Sequence, residues 1–179
     1  MSEVFEGIAR IERLAPMGMV TLRGDLSAPE LSAAIRAELG CDMPDVRRIT
    51  TGADGQAAWM SPDELLLFVE SPRAPALADR LDGLKGGFFT AADVSGARVV
   101  FSVSGAGARD VLAKACPVDF ADFPVGSFRR TRAAQVAAAI WRAENGGFML
   151  TCMRSVADYA ETLLHTLAHP GAGVGLYRD

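Results

Sequence analysis

A chain of 179 residues, half of them hydrophobic and 22% charged, is long enough for one sizeable core or two fused small ones. Its ordinary charge content argues against disorder, and a formal net charge of −4 argues against general nucleic-acid or anionic-membrane partners, which favour basic chains. The longest apolar runs, such as Leu65–Val69 and Val136–Trp141, reach about six residues, where a membrane span needs about 20.

The first expected strand is Met17–Arg23, in which Val20 and Leu22 alternate with Thr21 and Arg23. Ser27 is placed to cap a helix with Pro29 in its first turn, Leu31, Ile35 and Leu39 on one face, and Gly40 as its stop. Asp42–Gly55, with Pro44, Gly52 and Gly55, reads as a loop. Gln56–Met60 and Glu64–Glu70 read as a hairpin turned at Ser61-Pro62-Asp63, where Pro presets the torsion and Asp bonds the local backbone. A short helix, Pro75–Leu84, and a strand, Phe88–Val94, complete the first half.

The second half repeats that order. Ala97–Val103 is a strand, Ser104–Gly107 a corner and Ala108–Cys116 a helix ended by Pro117. The Pro/Phe/Asp-rich stretch Pro117–Gly126 reads as a loop, followed by strands Ser127–Ala133, Gln135–Arg142 and Gly147–Met153. Asn145-Gly146-Gly147 supplies the positive-φ residues of a hairpin turn. Ser155 is placed to cap a last helix with Val156, Tyr159, Leu163 and Leu164 inward, and Pro170 just past its end. These elements predict an α+β fold of two ferredoxin-like split β-α-β modules with mostly antiparallel sheets. The modules are expected at residues 1–94 and 95–170, with 171–179 a flexible tail.

Residues that could carry chemistry are sparse. Gly105-Ala106-Gly107 opens a helix as a dinucleotide loop does, but Asp110 stands where the third glycine belongs and would repel a pyrophosphate. His165 and His169 have the spacing of metal ligands, without an acid between them or a third ligand. Cys41, Cys116 and Cys152 are odd in number, far apart and outside any CxxC pair, so they read as reduced thiols. The acidic start MSEVFEGIAR lacks a signal peptide's apolar core, so the expected compartment is cytoplasmic. Trp59 and Trp141 read as core residues.

The basic residues are 16 Arg against two Lys, Lys85 and Lys114. Such a surface suits protein interfaces, and GC-rich codon usage gives the same bias. Arg129, Arg130 and Arg132 form a local cluster, with Arg130 and Arg132 on one strand face. Together with Arg98 and Arg109 they are the candidate interface residues. No catalytic, cofactor-binding or metal-binding residue is assigned.

Four stretches together resemble the gamma subunit family of heterotetrameric sarcosine oxidase. They are AWMSPDELLLF (Ala58–Phe68), VSGARVVFSVSGAGARDVLAKACPVDF (Val94–Phe120), FPVGSFRRTR (Phe123–Arg132) and RSVADYAETLL (Arg154–Leu164). More loosely, Asp93-Val94-Ser95 and Gly105-x-x-Ala108-x-x-x-Leu112 resemble the aminomethyltransferase superfamily of folate-binding proteins. The resemblance implies an aminomethyltransferase-like α+β fold and a non-catalytic subunit, with no active site on this chain alone. The complex it implies oxidatively demethylates sarcosine to glycine. FAD, FMN, NAD, tetrahydrofolate and zinc belong to its other subunits, and the partners are the alpha, beta and delta chains, chiefly alpha. The rival reading is a stand-alone folate-type binding or one-carbon transfer protein. A related iron–sulfur maintenance protein is a third, of which Cys116-Pro117 would be the trace.

Overall fold

The computed structural model describes residues 4–177, which fall into two compact units. A central unit spans Pro16–Gly96, and a composite unit joins Met1–Ala15 to Ala97–Asp179. Residues 4–15 therefore do not belong with the residues that follow them, contrary to the expected 1–94 module. The reason is strand pairing: the strand Arg10–Arg13 bonds to the strand Arg98–Ser104.

In the central unit β3 (Gly18–Arg23), α1 (Pro29–Leu39), β4 (Ile49–Thr51), β5 (Gln56–Ser61), β6 (Glu64–Val69), α2 (Ala74–Asp82) and β7 (Thr90–Asp93) follow in order. The sheet runs β4-β5-β6-β3-β7, with antiparallel pairing throughout. Val20 and Leu22 of β3, Leu65, Leu67 and Val69 of β6, Leu31, Ile35 and Leu39 of α1, and Leu77 and Leu81 of α2 form one core. The 3.6-residue period of the helices and the alternation of β3 put those side chains on facing surfaces. Every residue of β6 is buried, which is why its run Leu65-Leu66-Leu67-Phe68-Val69 shows no alternation.

Two local expectations fail here. Ser27 does not cap α1: the cap position is Ala28, and Ser27 instead donates its hydroxyl to Asp25 Oδ1 at 2.6 Å in a tight local turn. Asp42–Gly55 is not wholly a loop, because the β-branched triplet Ile49-Thr50-Thr51 pairs with β5. Gly40 does close α1, in the left-handed conformation with φ 69°.

The composite unit holds β1 (Val4–Glu6), β2 (Arg10–Arg13), β8 (Arg98–Ser104), α3 (Ala108–Ala115), β9 (Phe128–Ala133), β10 (Val136–Arg142), β11 (Phe148–Met153) and α4 (Ala157–Ala168). Its sheet runs β1-β2-β8-β11-β10-β9, also antiparallel. Ile11 of β2 lies opposite Val103 of β8, so the N-terminal segment completes this sheet. Ile8, between β1 and β2, ties both helices to it. Its N–H donates to Ala168 O at 2.8 Å, and its carbonyl accepts the Gly107 N–H at 3.1 Å.

The core gathers Val99, Phe101, Val103, Leu150, Ile140, Val111, Leu112 and Leu164. The loop Pro117–Gly126 contributes two fully interior rings, Phe120 and Phe123, with centroids 5.7 and 6.1 Å from Phe148. Ser155 does not cap α4. Arg154–Val156 form a 3-10 turn, and Val156 takes the cap position. At the β10–β11 turn Gly146 carries the positive φ, and Asn145 contributes its side chain, which accepts the Gly147 N–H at 3.0 Å.

Candidate functional site

The five candidate arginines occupy three places in the composite unit. Arg129, Arg130 and Arg132 lie on β9, an edge strand bonded only to β10. Strand alternation sends Arg130 and Arg132 to one face, both exposed, and Arg129 to the other. Arg129 lies over the Phe123 ring at 5.6 Å and donates to Phe128 O at 2.8 Å. Arg132 donates its Nε to Ala134 O at 2.6 Å. Charged side chains on an edge strand also block its unwanted pairing with other strands.

Arg98 starts β8, with β11 and β10 between it and β9, and its carbonyl accepts from Arg154 at 3.4 Å. Arg109, in the first turn of α3, lines a hollow of about 290 Å³ with Arg142, Asn145 and Gly147. Arg142, which the sequence reading passed over, is a structural clamp. It donates to Gly146 O at 3.3 Å and Phe123 O at 3.2 Å, and lies over the Phe148 ring at 5.5 Å.

The Gly105-Ala106-Gly107 corner is built for close packing. A Cβ on Gly107 would lie 2.3 Å from Ile8 O, so only glycine lets α3 meet the N-terminal segment. Asp110 turns its carboxylate to the C-terminal residues, accepting the N–H groups of Gly175, Leu176 and Tyr177 at 2.6, 3.0 and 3.1 Å. Burial alone would raise that carboxyl's pKa, but these donors outweigh it and hold the group below its ordinary value. The tail 171–177 is therefore fastened to α3, where a flexible tail was expected.

His165 stacks on Phe5 at 4.6 Å, and His169 Nδ1 lies 2.9 Å from Pro170 O, so the two rings serve different contacts. Among the described residues no group of three or more His, Cys, Asp and Glu side chains could hold a metal. All three cysteines are buried free thiols. Burial pushes the Cys116 thiol up to about 12, the reverse of an activated nucleophile. Trp141 is buried and stacked on Phe128 at 6.0 Å, as expected of a core residue, whereas Trp59 is half-buried.

The central unit has a cavity of about 650 Å³ between the β4–β5 loop, the end of β6 and the start of α2. Its size suits a small molecule. Its polar groups, however, hold the wall together. Arg73 donates to Asp54 O at 2.7 Å and to Glu38 O at 2.9 Å, and Ser71 donates to Pro16 O at 3.0 Å.

Residues 23–168 match the sarcosine oxidase, gamma subunit family, which is most of the chain. The chain belongs to that family. A curated relative, the sarcosine oxidase subunit gamma of Arthrobacter sp., is 35% identical over 115 residues, which span 62% of this chain and 56% of the relative. Among solved structures, this gamma-family chain is similar to one in the heterotetrameric sarcosine oxidase of Corynebacterium sp. U-96. That match has a TM-score of 0.80 and 24% identity, covering 97% of this chain and 91% of the other. The aminomethyltransferase T of the Bartonella henselae glycine cleavage system matches at TM-score 0.66 and 15% identity, over 89% of this chain and 46% of its own. These likenesses show the expected aminomethyltransferase-like α+β fold. Among the described residues no helix is long and apolar enough to cross a membrane.

Proposed function

We propose that this chain is the gamma subunit of a heterotetrameric sarcosine oxidase and contributes assembly, not chemistry, to a complex that oxidatively demethylates sarcosine to glycine. The match to the gamma subunit family across residues 23–168 carries the reading. The partners are the alpha, beta and delta subunits, chiefly alpha, in the cytoplasm. FAD, FMN, NAD, tetrahydrofolate and zinc reside in those subunits. The exposed guanidinium groups of Arg130 and Arg132 suit carboxylates of a partner, since Arg forks pair bidentately. Arg98, Arg109 and Arg129 are further candidate contacts.

Co-expression of the other three subunits with and without this chain tests the proposal. The four-chain preparation should be active and co-purify as one species, and omission should give a less stable complex. A three-chain oxidase of equal activity and thermal stability would overturn it. So would sarcosine oxidation, or micromolar tetrahydrofolate binding, by the isolated chain.

A further inference from the structure

Residues 170–177 have the composition of a loose tail, with Gly171, Gly173 and Gly175, yet they are fastened along their length. Lys114 Nζ donates to Leu167 O at 2.5 Å and to Ala172 O at 2.7 Å, joining the end of α4 to the start of the tail. Farther on, Asp110 gathers the N–H groups of Gly175, Leu176 and Tyr177. Gly175 has φ 64°, the left-handed conformation that lets successive N–H groups converge on one anion. The Tyr177 hydroxyl accepts the Phe120 N–H at 3.2 Å, and its ring meets Phe120 edge-on at 6.4 Å.

These bonds all face inward, and Tyr177 is the tail side chain that packs on the core. Facing outward are Val174 and Leu176, 62% and 66% exposed. Ordering a glycine-rich segment costs backbone entropy, which the bonds to Lys114, Asp110 and Phe120 offset before any partner arrives. Fixing apolar side chains before association lowers the cost of association. We propose that the Asp110 latch presents Val174 and Leu176 as a preorganised apolar anchor for another subunit of the heterotetramer, an inference that rests on the functional reading above.

The partner surface it fits is an apolar hollow bordered by carboxylates. Lys114, which holds the tail, also lines with Arg132 a shallow hollow of about 340 Å³. These two cations beside the tail call for carboxylates on the facing surface, so an unlike chain that carries them is the occupant.

The test is titration of the full chain into a complex of the other three subunits, comparing wild type with V174A/L176A and V174D/L176D. The isolated variants should melt as wild type does, because both side chains are exposed. The alanine pair should bind at least ~10-fold more weakly and the aspartate pair more weakly still. Val46→Asp, at an exposed apolar residue of the central unit, should bind as wild type does. If the wild type binds and both pairs bind equally well, the anchor is wrong. If the wild type itself does not bind, the functional reading falls and the anchor with it. A wild-type homodimer dispersed by the same substitutions would overturn the choice of an unlike partner.

Discussion

The two units follow one plan but close it with strands from opposite ends of their sequence. In the central unit β7 follows α2 and lies beside β3, with Ala91 opposite Leu22. In the composite unit the corresponding place, beside β8, is held by β2, which comes before the whole central unit in the chain. The segments after the second helices explain the difference. After α2 the chain returns through Phe89 into Thr90-Ala91-Ala92-Asp93, whereas after α4 it meets Pro170 and alternating glycines that do not favour a strand. The edge of β8 would otherwise carry unpaired backbone groups, and an N-terminal strand satisfies them.

The two closing strands differ most at Ile11, which is fully buried opposite Val103. Ile11→Ala should cost about 3 kcal/mol, from lost transfer energy and the cavity left behind. Ala91→Gly, at the matching place beside β3, should cost under about 1 kcal/mol, because Ala91 is half-buried and loses only a methyl group. Urea unfolding of both variants measures this. An Ile11→Ala loss no larger than that of Ala91→Gly would mean that β2 adds little to the composite core.

Each unit also buries a carboxylate, and the two are satisfied differently. Asp110 is held by backbone N–H groups and Glu64 by the guanidinium of Arg23 at 2.8 Å. Asp110→Asn keeps the size but loses the charge that three donors serve, and should cost about 2 kcal/mol. It should also expose the tail to carboxypeptidase. Because the folded carboxyl lies below the ordinary 3.8, its contribution is fully present above that pH and lost as pH falls through the lower folded value. Protease protection of the wild-type tail should therefore hold at pH 5. Tail release between pH 5 and 7 would contradict the latch.

Arg23→Ala should cost about 1 kcal/mol. It removes one partner of a carboxylate that is only 5% exposed, but Arg23 is half in solvent and its pairing is screened. The loss should shrink in 0.5 M salt, while that of Asp110→Asn should not, since backbone donors carry no net charge.

The sequence made most of the elements readable and left the closure of the composite sheet hidden. Leu31, Ile35 and Leu39, or Val99, Phe101 and Val103, announce a helix face and a strand face because local geometry fixes their period. Nothing local marks Arg10–Arg13 as the neighbour of β8, since pairing across most of a chain leaves no periodic trace. The interior rings of Phe120 and Phe123 were hidden for the same reason, inside a stretch whose Pro and Asp read as loop. At the candidate site the arginines could be named, but their separation into an edge strand, a strand start and a helix turn is a property of the folded sheet. Asp110 was visible as an objection to a nucleotide and not as the partner of residues 65 to 67 positions away.

The smallest effect expected is a gain. Ala134 has φ 48°, in the connection between β9 and β10, where its N–H donates to Ala115 O at 2.8 Å and its carbonyl accepts from Arg132. A left-handed alanine costs about 1–2 kcal/mol, and glycine removes that strain while adding about 0.5–1 kcal/mol of unfolded-chain entropy. Ala134→Gly should therefore stabilise the composite unit by about 0.5 kcal/mol, read as a higher urea midpoint at an unchanged slope. The central unit offers a control. Its β5–β6 turn shows no positive φ, so glycine at Pro62 should destabilise, by loosening the unfolded chain without relieving strain. If both glycines destabilise, the bonds at Ala134 hold its backbone at no net strain.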